Sequence, residues 1–156
     1  MDTNLHFSAL VVREDQNGQF QRAVVERRLS DLPDNEVLVR VRYSSLNYKD
    51  ALSATGNRGV TRNYPHTPGI DAVGTVVAST DRNWQAGDEV LCTGYDLGMN
   101  TSGGFGQYIR VPGSWLVRRP ETLAPMDCMR LGTAGYTAAL CVLSLQDNGV
   151  LPGGGP

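Results

Sequence analysis

The sequence predicts a mainly β domain, a barrel or sandwich of short strands followed by helices. Three observations carry this prediction. Residues 36–43 alternate strictly, with Val37, Val39, Val41 and Tyr43 on one face and Leu38, Arg40 and Arg42 on the other. Short apolar runs separated by Gly- and Pro-containing turns recur up to Pro120. Beyond Pro120 the pattern changes to longer, helix-like segments.

Taken in order, residues 7–12 read as a first strand and residues 20–25 as its return. Between them lies Asn17-Gly18, a strong hairpin signal because both residue types accept positive φ. Asp31-Leu32-Pro33-Asp34 is a turn into the alternating strand 36–43. Residues 47–54 suit two helical turns, with Gly56 as the stop. A loop holding Arg58 and Arg62 leads to a strand at 70–79. Gly74 inside that strand predicts a bulge or a close backbone approach. Further short strands are expected at 89–93, 105–111 and 116–118, around a glycine-rich excursion at 94–104. Gly103-Gly104-Phe105-Gly106 reads as a tight turn and not as a phosphate loop. A short helix is expected at 125–131 and a longer one at 135–147, stopped by Gly149. The longer helix is apolar over most of its circumference, which predicts burial against another surface, or exposed apolar surface at 138–145 where that surface is missing.

Bulk properties narrow the functional classes. A chain of 156 residues suits one domain with a real core. The formal net charge of −2 gives no electrostatic case for nucleic acid or an anionic membrane. No apolar run reads as long enough to span a bilayer, and the N-terminus lacks the order of a signal peptide. Three scattered cysteines argue against a disulfide framework and for a reducing, cytoplasmic setting.

Chemistry concentrates where the alternating strand ends. Asn47, Tyr48, Lys49 and Asp50 place an amide, a phenol, an amine and a carboxylate in succession. Four polar side chains at a strand end are poor core design, so they are expected to line a site. Pro68-Gly69-Ile70-Asp71 belongs with them, and a buried Asp71 needs a partner, which Lys49 or an arginine would supply. Lys49 and Asp50 are candidates for a mutual ion pair. Structural readings stand beside these: Asn47 as a helix cap, Asp50 satisfying a backbone group, Arg58 and Arg62 as solvated loop charges.

Several stretches together resemble the N-terminal part of the medium-chain dehydrogenase/reductase superfamily. They are residues 44–52 (Ser-Ser-Leu-Asn-Tyr-Lys-Asp-Ala-Leu), 68–76 (Pro-Gly-Ile-Asp-Ala-Val-Gly-Thr-Val) and 86–90 (Ala-Gly-Asp-Glu-Val). Residues 103–108 (Gly-Gly-Phe-Gly-Gln-Tyr) and 131–138 (Leu-Gly-Thr-Ala-Gly-Tyr-Thr-Ala) continue the likeness. The match is to the zinc-independent quinone-oxidoreductase branch, and within it to the acryloyl-CoA reductase subfamily.

The resemblance implies a GroES-like β-barrel catalytic domain at 1–124. It implies linking helices and a connector at 125–156, leading to a Rossmann domain absent from this chain, which holds no G-x-G-x-x-G. The chain therefore reads as a fragment, inactive alone. The resemblance further implies NADPH as cofactor and an acyl-CoA or a quinone as substrate, in a homodimeric parent. Asn47 and Ile70-Asp71 occupy the places of a Cys and a His-Glu pair in zinc-dependent relatives, so no metal is expected. Tyr48 and Asn47 become candidates for catalysis and, with Thr133, for cofactor contact. Arg62, Arg58 and Lys49 become candidates for substrate contact, arginine being suited to phosphate. The other classes to weigh are a quinone reductase and a non-catalytic β-barrel binding module.

Overall fold

The structure, a computed structural model, describes residues 5–154. Strands β1 (His6–Glu14) and β2 (Phe20–Arg28) form an antiparallel hairpin in register from His6↔Arg28 to Glu14↔Phe20. The hairpin loop runs over 15–19. The Asp15 carboxylate accepts the N–H groups of Asn17 and Gln19 at 2.8 and 2.9 Å, and Gly18 takes the expected positive φ of 74°. The strands are longer than the apolar runs suggested, because β2 is mostly solvent-facing and carries polar residues to its end.

Next come β3 (Val37–Ser44), the short helix α1 (Tyr48–Ala54) and β4 (Asp71–Ser79). Then follow β5 (Glu89–Thr93), β6 (Tyr108–Val111), β7 (Leu116–Arg118) and α2 (Pro125–Asp147). One five-stranded sheet has the order β6-β3-β4-β5-β7, with every adjacent pair antiparallel. The hairpin is stitched to it by bridges Ala9↔Gly106 and Val12↔His66, which bend the assembly towards a barrel.

Alternation decides where the core lies. Val37, Val39, Ala72, Val76, Val90, Cys92, Ile109 and Val111 point inward and form the main cluster. A second cluster places Phe7, Ala9 and Val11 of the hairpin against Leu38, the opposite face of β3. A third places Cys128 and Met129 of α2 on Val73 of β4. Each buried aliphatic side chain contributes roughly 1.5–3 kcal/mol.

Gly74 is a close backbone approach. A Cβ there would stand 2.1 Å from the Arg40 carbonyl oxygen, next to the register shift between Val41 and Tyr43.

α2 keeps the expected division into two helical parts, which meet at a kink where Gly132 has non-helical φ 50°, ψ −157°. The part beyond the kink is not covered: Leu140, Val142, Leu143 and Leu145 are about half exposed. Apolar composition signalled a partner surface that the described residues do not supply.

The expectation about apolar length does need a correction. α2 has 23 residues and by length and composition could cross a membrane. The Gly132 kink divides it, however. Residues 133–147 rise only about 22 Å at 1.5 Å each, against a hydrocarbon core of about 30 Å.

Candidate functional site

Three segments meet where β3 ends and β4 begins: residues 45–50 entering α1, residues 69–71 entering β4, and the kink of α2. Two buried carboxylates organise them.

Asp50 lies in the first turn of α1 and is 2% exposed. Its Oδ1 accepts the N–H groups of Gly69 and Ile70 at 3.1 and 2.9 Å. Its Oδ2 accepts the N–H of Asn47 at 2.8 Å, and the two residues form a capping box around the start of α1. Burial pushes the Asp50 carboxyl above its ordinary value, and the backbone N–H donors partly oppose the shift. Asp50 thus satisfies backbone groups, the structural reading offered for it, and the Lys49–Asp50 ion pair offered beside it does not form. The carboxylate is turned inward onto N–H groups, while Lys49 lies exposed.

Asp71 is fully buried and has no cationic partner among the described residues, contrary to the pairing expected with Lys49 or an arginine. Its partners are neutral donors. Oδ2 accepts Ser45 Oγ at 2.6 Å, Asn47 Nδ2 at 2.9 Å and the Thr133 N–H at 2.9 Å. Oδ1 accepts Thr133 Oγ1 at 2.6 Å. These bonds replace the water that a carboxylate loses on burial. Burial, with a further contribution from the Asp71 charge, pushes the nearby Cys92 thiol up to about 12.

The remaining candidates divide by exposure. Tyr48 is 80% exposed beside this cluster, and its phenol has no protein partner among the described residues. Arg62 is exposed and anchored through its backbone, whose N–H donates to Asn100 Oδ1 at 3.1 Å. Arg58 is committed elsewhere: its guanidinium pairs with Glu14 and lies 5.7 and 5.1 Å from the Phe20 and Tyr64 ring centres. An apolar cleft of about 330 Å³ opens beside the kink, lined by residues including Leu91, Leu123, Leu131 and Tyr136.

The residues do not suit a metal. Among the described residues no three of His, Cys, Asp and Glu gather closely enough to hold one. Ile70 has no donor atom, and both Asp71 oxygens are already engaged.

Sequence reasoning placed Asn47, Asp71 and Thr133 near a site, but not bonded to each other through one carboxylate. It missed Ser45. Its signal was faint, a serine between the strand and the cap.

A β-barrel core with a polar cluster at one end, continued by a helix, defines a known class of domain. Residues 33–121 match the alcohol dehydrogenase GroES-like domain, and the chain belongs to this family. It is 46% identical over 151 residues to the acrylyl-CoA reductase AcuI of Ruegeria pomeroyi, covering 96% of this chain and 46% of that protein. It is also similar to the yhdH oxidoreductase of Salmonella enterica, solved in complex with NADP. That match has a TM-score of 0.88 and 47% identity, over 95% of this chain and 45% of the other. The Bacillus subtilis protein yhfP, solved with NAD bound, gives a TM-score of 0.89 and 42% identity, over 96% and 45% of the respective chains. The chain thus spans just under half the length of the proteins it matches.

Proposed function

We propose that this chain supplies the catalytic-domain part of an NADPH-dependent, zinc-independent reductase of activated C=C bonds, with acryloyl-CoA as substrate and propionyl-CoA as product. The observation that carries this reading is the 46% identity to an acrylyl-CoA reductase across 96% of the chain. The polar strand end, with one unpartnered phenol, supports it. In this reading residues 1–124 form the catalytic domain, and residues 125–156 link it to a nucleotide-binding half.

When bound, the nicotinamide supplies hydride to the substrate β-carbon, while a proton reaches the α-carbon. The chain's own residues orient and polarise. Tyr48 donates its free phenol to the cofactor ribose or to the thioester oxygen, where enolate charge develops. Asn47 keeps one amide hydrogen beyond the one given to Asp71 and turns it towards the same space. Thr133 holds the helix start beside the cofactor. Arg62 and Lys49, both exposed, meet the acyl-CoA phosphates. Arg58 stabilises the loop from which Arg62 projects.

The test uses a chain that also carries the second half of its relatives' length. Acryloyl-CoA-dependent oxidation of NADPH is the expected result, and no turnover with acryloyl-CoA, alongside fast turnover of a quinone, would replace the substrate. Tyr48→Phe lowers kcat by about tenfold or more if the phenol aids the transition state. Arg62→Ala raises KM for acryloyl-CoA but not for an uncharged enone; an equal rise for both removes the phosphate contact.

A further inference from the structure

We propose that Asp71 is the positioning residue of this site: its one buried carboxylate holds both the loop carrying Asn47 and the start of the helix beyond the Gly132 kink. The functional consequence rests on the reductase reading above; the structural coupling does not.

Four donors reach this carboxylate from two separate segments. Ser45 Oγ and Asn47 Nδ2 come from the loop between β3 and α1, at 2.6 and 2.9 Å. The Thr133 N–H and Oγ1 come from α2, at 2.9 and 2.6 Å. Thr133 is 62 residues from Asp71 in the chain, so the carboxylate closes a long-range contact.

The kink explains why these bonds form. A helix that restarts after Gly132 has first-turn N–H groups with no helical acceptor. Asp71 accepts the Thr133 N–H, so a residue of β4 caps a helix to which it does not belong. The positive end of the restarted helix also favours an anion, which accounts for a fully buried carboxylate without a cationic partner among the described residues.

The backbone is shaped around it. A Cβ at residue 132 would stand 2.6 Å from Asp71 Oδ2 and 2.7 Å from Ser45 Oγ, and its φ of +50° disfavours any side chain. Glycine at 132 therefore lets the carboxylate approach the helix start. Asp71 accepts from every side, which also fixes Asn47 with its amide nitrogen inward. A tilt of the helix beyond Gly132 must pull on the same oxygen that orients Asn47.

The experiment is amide NMR on the 156-residue chain with Thr133→Val, Ser45→Ala and Asp71→Asn. Thr133→Val removes the Oγ1 donor and keeps the N–H. The Asn47 side-chain NH2 signals should then shift, although no hydrogen bond joins Asn47 to Thr133. In Asp71→Asn, the Thr133 amide should exchange about tenfold faster than in the parent while core amides of β4 and β5 keep their rates. Unmoved Asn47 signals in both Thr133→Val and Ser45→Ala would overturn the coupling, and so would an unchanged Thr133 exchange rate. If Asp71→Asn does not fold, the two milder variants decide.

The functional arm uses Thr133→Val in the two-half enzyme. The expectation is kcat lower by about tenfold or more, from misplacement, with the dissociation constant for NADPH nearly unchanged. A weakened NADPH affinity with unchanged kcat would make Thr133 a simple cofactor contact and overturn the positioning role. An inactive parent enzyme would sink the reductase reading and leave the NMR result standing.

Discussion

The main-chain N–H of Ile70 donates to the buried carboxylate of Asp50 at 2.9 Å. This bond joins the first turn of α1 to the residue that precedes β4. With the bonds from Gly69 and Asn47 it makes Asp50 a fastener between two loops.

Replacing Asp50 with Ala leaves three N–H groups without their acceptor and should cost about 3 kcal/mol or more. Asp50→Asn separates charge from shape. Burial raises the Asp50 pKa in the fold, so the folded state holds this proton more tightly than the unfolded chain. The associated stability is present below the unfolded value and is lost as pH rises through the folded one. The stability advantage of the parent over Asp50→Asn should therefore shrink as pH rises above the ordinary value of 3.8, measured by urea unfolding. An advantage that grows with pH would show that the N–H donors outweigh burial.

Much of the scaffold was legible because its signals are local. The alternation of Val37, Val39 and Val41 gave β3, and Gly18 and Gly56 marked turns that take positive φ. Gly74 signalled a close approach because a strand rarely spends a residue on having no side chain. That Asp50 satisfies backbone groups and that Asn47 caps α1 were also legible, as local capping signals. The partners of Asp71 were not: its donors meet only through the tertiary path of separate segments, and the need to pair a buried charge pointed to Lys49 or an arginine instead. The bare face of α2 was legible from its composition together with the reading of the chain as a fragment. Apolar periodicity reports that a surface can be covered, not which residues cover it.

Gly74→Ala tests how tightly β3 and β4 are pressed together. The new methyl would meet the Arg40 carbonyl at 2.1 Å, and backbone cannot swing aside as a side chain can. The expected loss is about 3 kcal/mol, at the upper end for overpacking. Gly87→Ala is a milder control, since its Cβ meets nothing within 4 Å and only its φ of +97° is strained. Equal losses in urea unfolding would mean that strand separation is not the cause.

The two parts of α2 should respond differently to the same substitution. Met129 is 5% exposed and packs with Val73 and Cys128. Met129→Gln should cost about 3 kcal/mol through lost burial and an unpaired amide. Leu143, 54% exposed, should tolerate Gln within about 0.5 kcal/mol in this chain. A large loss at Leu143 in dilute solution would mean that this face is covered there.

Cys92 gives the chain an alkaline limit of its own. In the unfolded chain this thiol ionises near 9.0, whereas in the fold burial, helped by the Asp71 charge, holds the proton up to about 12. The folded state therefore binds more protons between these values. Stability should be flat with respect to Cys92 below pH 9 and fall above it, by about 1.4 kcal/mol per pH unit. Tyr64, also raised by burial, acts in the same direction at higher pH and is common to parent and variant. Comparing the parent with Cys92→Ala isolates the thiol. Between pH 8.5 and 10.5 the parent should lose about 2 kcal/mol more than the variant in urea unfolding. At pH 8 a thiol reagent should modify the exposed Cys141 quickly and leave Cys92 and Cys128 intact. Equal alkaline losses, or rapid labelling of Cys92 in the folded chain, would mean that the wall between β5 and Asp71 opens to water.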